Sequence, residues 1–195
     1  MNTKRGFRMR NLQTIVLTLT LLAASSASGF DGNRKGFVLG GGLGFAPVSS
    51  WSVDISPFFG PISSINETGA GIGLNLIIGH AWDEQNMIVY EGNVTGWKSD
   101  FFDMTMSQGF NGGAWYHYFG IPGRSAFTTL GLGVYLFDGE DVTANDVGIG
   151  FLAGGGYEFA RHWQVGGYFS LGRTSDAGVD FDHYHLNILV SGVAF

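Results

Sequence analysis

Residues 68–82, TGAGIGLNLIIGHAW, alternate between two kinds of side chain almost without a break. The apolar parity consists of Ala70, Ile72, Leu74, Leu76 and Ile78. The small or polar parity consists of Gly69, Gly71, Gly73, Asn75 and Gly79. A period of two residues is typical of a β-strand with two unlike faces. Similar segments recur between Gly36 and Phe195, so the sequence predicts an all-β fold.

The first thirty residues follow another pattern. An apolar run over residues 12–24 separates a basic start from a stretch of small residues, and the basic residues are Lys4, Arg5, Arg8 and Arg10. This order is typical of a cleaved secretory signal peptide. The run is too short for a helix across a hydrocarbon core of roughly 30 Å. We expect a signal peptide over residues 1–27, cleaved after Ala27, and one domain over residues 28–195.

Composition excludes several classes of protein. Removal of the predicted signal peptide leaves six basic and sixteen acidic residues, a net charge of −10, which argues against a nucleic-acid partner. Without cysteine the chain forms no disulfide. Charged residues make up 13% of the chain, against roughly 25% in ordinary soluble proteins. No apolar run of helical length follows the signal peptide, so the chain is expected to enter a membrane as strands.

Eight strands are predicted, and the connections between them alternate between long and short. The strands cover residues 37–45, 68–82, 87–97, 104–119, 126–136, 147–159, 163–171 and 183–195. This pattern predicts an eight-stranded antiparallel up-and-down transmembrane β-barrel, with short turns toward the periplasm and longer loops outside. In the last strand Val193 and Phe195 leave the apolar parity of Tyr184, so we expect a bulge near Ser191 or Gly192.

The apolar faces are expected to meet lipid. Their opposite faces carry mostly Gly, Asn, Ser and Thr, whereas a soluble barrel would expose Lys and Glu, and Gly is a poor exposed strand former. For the fourth strand this rule assigns to lipid Met104, Met106, Phe110, Ala114, Tyr116 and Tyr118. Eight strands leave a lumen that side chains fill, so no aqueous channel is expected.

Aromatic residues gather at the short-turn end of the predicted strands. They are Phe37, Trp82, Tyr116, Tyr118, Tyr157, Phe159, Trp163 and Phe195. Amphipathic rings favour the headgroup region, so we expect an aromatic girdle there. A thinner band at the loop end is expected from Phe45, Met104, Leu136 and Tyr184.

The predicted signal peptide, the alternating segments and the terminal aromatic residue together carry a resemblance to a known group of proteins. The segments are FVLGGGLGF, GIGLNLIIGH and similar ones, and the terminal residue is Phe195. On these features the chain resembles the small eight-stranded outer-membrane barrels, namely the OmpA-like transmembrane domain and the OmpX-like barrels. The resemblance implies a monomer in the outer membrane of a Gram-negative envelope, in contact with outer-membrane lipid and lipopolysaccharide. It also implies recognition of the terminal aromatic residue by the barrel-assembly machinery.

Two acidic residues fall on the predicted inner face. Glu91 and Glu158 would be costly there without partners. We expect an internal polar network with Asn93, Asn111 or Gln164 rather than a catalytic pair.

His183 and His185 are spaced so that both imidazoles lie on one face of a strand, with Asp180 and Asp182 nearby. A metal site needs three or four ligands in a suitable arrangement, so we expect loop-edge polar residues instead. The sequence assigns no catalytic residue, no cofactor and no metal ligand.

The predicted outer loops are acidic. Their acidic residues are Asp54, Glu67, Asp100, Asp103, Asp138, Glu140, Asp141, Asp146, Asp176, Asp180 and Asp182. Divalent cations could bridge them to lipopolysaccharide phosphates, or the loops could simply be solvated.

The predicted function is a structural or surface-interaction role carried by these loops. Two alternatives remain open: a lipid A-modifying enzyme of the same fold class, and a small-ligand carrier or narrow pore. The enzyme would need Ser, His and carboxylate side chains converging at the lipid-facing outer rim, and the carrier would need an open lumen.

Overall fold

The structure, a computed structural model, describes residues 33–54, 64–99, 103–139, 146–176 and 179–195. Eight antiparallel strands follow one another around a closed barrel. They are β1 (Gly36–Asp54), β2 (Ser64–Ala81), β3 (Asn86–Lys98), β4 (Thr105–Tyr118), β5 (Ser125–Gly139), β6 (Asp146–Ala160), β7 (Trp163–Asp176) and β8 (Val179–Ala194). The predicted architecture is therefore confirmed. The predicted signal peptide lies outside the described residues, and within them no helix is long and apolar enough to cross a bilayer.

β1 continues well past its predicted end. Between Ala46 and Ser49 it advances one residue more than the strand on either side, which is a β-bulge. Pro47 lies inside the bulge, where its missing N–H is not needed by a ladder. The bulge interrupts the alternation on which the prediction relied. The long connection predicted over residues 47–67 is thus wrong, because β1 runs to Asp54 and β2 begins at Ser64.

The outer face of the barrel is apolar on most strands. The outward parities predicted for β2, β5, β6 and β7 are confirmed, as are those of Ile88 and Tyr90 on β3. Among the outward side chains, Leu132 is 70% and Ile149 is 80% exposed. A closed barrel pairs its backbone groups internally, and a bilayer favours such an apolar exterior.

β4 shows the opposite parity to the predicted one. Phe110, Tyr116 and Tyr118 point into the barrel and are almost fully buried, whereas Asn111 and Gly113 lie on the outer face. The interior near the short turns is aromatic, and the Tyr116 ring packs 5.6 Å from that of Phe127. Rings with a polar hydroxyl suit an interior that offers hydrogen-bond partners. The prediction for β4, which relied on hydrophobicity alone, therefore assigned the wrong face of the strand to lipid.

The predicted bulge in the last strand is also wrong. Val193 and Phe195 are 2% and 3% exposed and continue the inward parity of Leu189. β8 pairs with β7 without a register shift as far as Gly192. The interior at this end of the barrel is itself apolar, so it accepts residues that the prediction assigned to lipid.

An aromatic girdle surrounds the short-turn end of the barrel, but some of its residues differ from the predicted ones. Exposed there, as predicted, are Phe37, Trp82, Tyr157, Phe159 and Trp163. Tyr116, Tyr118 and Phe195 were also predicted in the girdle, but they lie inside the barrel. Trp115 and Phe119 take lipid-facing positions on and just after β4.

Candidate functional site

A cluster of polar side chains lies inside the barrel around His185 of β8, which is fully buried. His185 Nε2 lies 2.9 Å from Ser170 Oγ of β7 and 3.2 Å from Asn93 Oδ1 of β3. His185 Nδ1 lies 2.8 Å from the Tyr135 hydroxyl of β5. Side chains from three other strands thus contact the imidazole of β8.

Further bonds extend this cluster across the lumen. The Asn187 amide donates to Asn93 Oδ1 at 2.7 Å, and the Thr95 hydroxyl donates to Asn187 Oδ1 at 2.8 Å. The Tyr135 ring lies directly over Gly172 of β7, where an added Cβ would be 2.3 Å from Tyr135 Cβ. Glycine at this position is what allows the ring to reach His185.

His183 lies toward the loop end from His185 and is also buried. Its Nε2 lies 2.8 Å from the Thr174 hydroxyl, and its ring is 4.6 Å from that of Phe137. The expectation that both histidines are loop-edge residues is therefore wrong, because β8 begins at Val179 and carries them on its inner face.

The two aspartates near these histidines do not face them. Asp182 lies on the outer face and accepts hydrogen bonds from Arg173 at 2.6 and 2.9 Å, and Asp180 is exposed. Within the described ranges, no three His, Cys, Asp or Glu side chains are grouped so as to hold a metal ion.

Glu91 is buried in the middle of the barrel, as predicted. The Tyr116 hydroxyl donates to one carboxylate oxygen at 2.6 Å, and the Asn93 amide donates to the other at 3.3 Å. Of the three proposed partners, Asn93 is therefore the one that contacts Glu91. Asn111 lies on the outer face, where it accepts a hydrogen bond from the Tyr90 hydroxyl at 2.9 Å.

Gln164, the third proposed partner, forms hydrogen bonds with two tyrosines inside the barrel. The Tyr118 hydroxyl donates to Gln164 Oε1 at 2.8 Å, and the Gln164 amide donates to the Tyr168 hydroxyl at 3.3 Å.

Glu158 has a partner that the sequence interpretation missed. Arg34, just before β1, donates from Nε and Nη2 to Glu158 Oε2 at 3.2 and 2.8 Å. Its guanidinium lies 4.0 Å from the Tyr118 ring centroid and donates to backbone oxygens of Glu84 and Gly120. Arg34 and Glu158 are 1% and 2% exposed, so this ion pair fills the short-turn mouth. The signal that could have indicated such a partner is a carboxylate on the inward face of β6, beside which the neighbouring strands place no cation.

The opposite mouth holds an apolar cluster, formed by Trp51, Val53, Trp97 and Met106 with Met104, Phe137 and Phe181 packed against it. Glu67 lies at its edge and accepts hydrogen bonds from Trp51 Nε1 at 3.1 Å and from the Ser99 hydroxyl at 2.7 and 2.8 Å. Trp51 reaches this position because the bulge in β1 reverses the strand's parity.

The acidic residues predicted in the outer loops fall into three groups. Three of them contact neighbours: Glu67 as above, Asp103 with Lys98 at 2.7 Å, and Asp182 with Arg173. Asp138 and Asp180 have exposed side chains, and strands include the backbone of Asp54, Asp146 and Asp176. Asp100, Glu140 and Asp141 lie outside the described residues.

The chemistry available to the interior is limited by burial. Ser170 and His185 are within hydrogen-bond distance, as in a nucleophile and base pair, but the third partner is Tyr135 and not a carboxylate. The pair faces the lumen, whereas the enzyme alternative needs these groups at the lipid-facing rim.

Hydrogen bonds also cross the lumen at several levels, such as that from Gln108 of β4 to the Tyr184 carbonyl of β8 at 3.0 Å. Among the described residues these contacts fill the interior that a carrier would need to keep open. The arrangement therefore suits a rigid scaffold.

No family model matches the chain, and no curated protein matches it in sequence. Among solved structures, it is similar to Neisserial surface protein A, with 8% identity and a TM-score of 0.51 over 81% of this chain and 96% of that one. It is also similar to the outer membrane protein OprG of Pseudomonas aeruginosa, with 12% identity and a TM-score of 0.48 over 83% and 98% of the two chains.

A third similar structure is Ail, the attachment invasion locus protein of Yersinia pestis, with 10% identity and a TM-score of 0.45 over 80% and 99% of the two chains. The likeness to Neisserial surface protein A, at 8% identity, establishes the fold alone, and it agrees with the closed barrel described above. The chain therefore has the fold of the small eight-stranded outer-membrane β-barrels.

Proposed function

We propose that this protein is an outer-membrane barrel whose part beyond the bilayer contacts other molecules at the cell surface. The observation that carries the proposal is an unequal height of the strands at the loop end. β1 pairs with β2 as far as Asp54 and with β8 as far as Val53, whereas the ladder from β2 to β3 ends at Gly71 and Trp97. β1 and β2 thus extend as a paired ladder beyond the end of β3.

The extension of β1 and β2 carries exposed side chains. Over residues 64–70, the only ladder partner of β2 in the described part of the chain is β1. The outward side chains along this stretch include the exposed Asn66, Thr68 and Ala70. Exposed side chains beyond the bilayer are accessible to other molecules at the cell surface. The name of the similar Neisserial protein, a surface protein, fits the same role.

The acidic outer residues form the second part of the proposal. Exposed Asp138 and Asp180 would bind divalent cations, which in turn would bridge to lipopolysaccharide phosphates. Chelation would then lower the thermal stability of the protein in membranes that contain lipopolysaccharide. Unchanged stability would leave these residues as solvated surface charges.

Assembly and export complete the proposal. Cleavage after Ala27 would release the barrel domain to the periplasm, and the assembly machinery would recognise the strand that ends in Phe195. Phe195 is buried against His162, with ring centroids 5.2 Å apart, so its recognition would precede barrel closure. We propose a monomer whose partners are outer-membrane lipid and surface molecules.

A peptide-binding measurement tests the surface role. Peptides selected from a random library on the protein in nanodiscs should bind the wild type and lose affinity when Asn66→Lys and Thr68→Lys place charges on the outer face of this extension. The matched control is Ser175→Lys, a change of an exposed residue on β7. Equal loss in the control variant, or selection of no binding peptide, would contradict a role for the extension of β1 and β2.

The lipid A mass profile of cells with and without the gene tests the enzyme alternative. The proposed surface role predicts an unchanged profile. A difference in acyl chains would instead establish lipid A modification.

A further inference from the structure

A groove on the outer wall of the barrel crosses β3 to β6 at the half nearer the short turns. It has a volume of about 410 Å³ and is lined by Ile88, Gly113, Trp115, Leu130, Leu132 and Phe151. Its floor is open at Gly113, where an added Cβ would meet nothing within 4 Å. The Trp115 indole is held at one wall by a hydrogen bond to Asn86 Oδ1 at 3.3 Å. The groove is thus an apolar depression in a surface that faces hydrocarbon.

Two arginines lie at the short-turn end of the barrel, next to the strands that line the groove. Arg124 is in the turn that leads into β5, and Arg161 is in the turn between β6 and β7; both are exposed. The two turns touch, since a Cβ added at Gly123 would lie 3.2 Å from Arg161 N and 3.5 Å from Arg161 Cγ. Neither arginine forms an ion pair with an acidic residue of the described chain.

The distance between the arginines and the groove suits a lipid. Leu130 is six positions after Arg124, which corresponds to roughly 20 Å of extended strand. A phosphate at the level of the turns would place its acyl chain along β5 toward the groove. The two cations and the apolar depression are therefore spaced like the headgroup and the chain of one phospholipid.

We propose that this surface binds one anionic phospholipid, with an acyl chain in the groove and the phosphate between Arg124 and Arg161. Charge complementarity selects the anionic headgroup, because Arg124 and Arg161 are adjacent exposed cations with no ion pair in the described chain. The acidic residues Asp83 and Glu84 lie in another turn, between β2 and β3, where Asp83 accepts hydrogen bonds from the N–H groups of Gln85 and Asn86. A second copy of the chain would supply apolar side chains but not the phosphate. The inference rests on the membrane location of the barrel and not on its surface role.

Native mass spectrometry tests the groove. The full chain is placed in nanodiscs of equal parts phosphatidylglycerol and phosphatidylcholine, and lipid retained after release is counted. We expect one retained phosphatidylglycerol, which Gly113→Leu removes by filling the groove. The matched control is Gly167→Leu on β7, which is also open to the outer face, with nothing within 4 Å of an added Cβ. Equal retention in the two variants, or release as a pair of chains, would overturn the proposal.

The headgroup is tested in the same nanodiscs with Arg124→Gln and Arg161→Gln. Each substitution should reduce the preference for phosphatidylglycerol over phosphatidylcholine roughly fivefold. Lys35→Gln, a change of another exposed cation at the short-turn end, is the control and should leave the preference unchanged. An anionic preference that survives the double arginine substitution would overturn the assignment. A heat-induced mobility shift on gels verifies that each variant is a folded barrel.

Discussion

Arg34 and Glu158 form an ion pair at 2.8 Å inside the short-turn mouth of the barrel, although 124 residues separate them in the sequence. The pair joins the segment before β1 to the end of β6, and the arginine also bonds to backbone oxygens in two short turns. The Arg34 side chain thereby contacts three parts of the same rim, namely the end of β6, the β2–β3 turn and the β4–β5 turn. The ion pair, the adjacent tyrosines and Phe195 close this mouth.

Arg34→Gln should destabilise the barrel by about 3 to 5 kcal/mol, because it leaves the Glu158 carboxylate buried without a cation. Urea unfolding of the protein in lipid vesicles measures the change. The double variant Arg34→Gln, Glu158→Gln should lose less than the single variant, since no charge is then left uncompensated.

The control for this prediction is Arg173→Gln. Arg173 pairs with Asp182 on the outer face, where the two side chains are 62% and 50% exposed. Such a pair contributes at most about 1 kcal/mol. Equal losses for Arg34→Gln and Arg173→Gln would show that the mouth pair is not buried as described.

Tyr135→Phe should cost about 1 to 3 kcal/mol of unfolding free energy, because it removes the hydrogen bond to buried His185 Nδ1 and leaves that nitrogen unpaired. The same substitution at Tyr157, an outward ring that is 45% exposed, is the control and should change stability little. A Tyr135→Phe protein as stable as the wild type would argue against the His185 cluster as a stabilising element.

Neighbouring residues on β4 should report opposite environments. The chain has no cysteine, so a single one can be introduced and spin-labelled. A label at Gly113 should be accessible to lipid-dissolved oxygen, whereas one at Ala114, which is 3% exposed, should be shielded. The reverse result would restore the parity predicted from hydrophobicity.

Asp83 should make the stability of the β2–β3 turn pH-dependent. Desolvation raises the pKa of this carboxyl, but hydrogen bonds from Asn86 and Gln85 outweigh it and hold the pKa below its ordinary value of 3.8. Because the folded state has the lower pKa, ionised Asp83 stabilises the turn above pH 3.8. This stabilisation is lost as the pH falls through the folded value.

Unfolding measured across acidic pH for the wild type and Asp83→Asn tests this expectation. The two proteins should differ most at neutral pH and converge in acid. Glu84→Gln changes the neighbouring carboxyl, for which the structure describes no side-chain hydrogen bond, and is the control; at neutral pH its stability should stay close to that of the wild type. A constant difference between Asp83→Asn and the wild type at all pH values would contradict the role of ionisation.

The sequence by itself determined the number of strands and their antiparallel order, although β1 and β2 extend beyond their predicted bounds. The period of two in residues 68–82 and in the segments that resemble them is a local property of the chain. The outward faces of every strand except β4, and of β8 as far as Val190, followed from it because those strands have one apolar parity and one small or polar parity. It also determined that Glu91 and Glu158 face inward.

Only the tertiary structure decided which parity of β4 faces lipid and where Val193 and Phe195 lie. Alternation relates residues within a strand, but it does not identify the inner face when the interior is itself aromatic, as it is around Phe110 and Tyr116. A single bulge at Pro47 reversed the rest of β1. The ion pair of Arg34 and the contacts of His185 join residues far apart in sequence, so they exist only because closing the barrel brings opposite strands within hydrogen-bond distance across a narrow lumen.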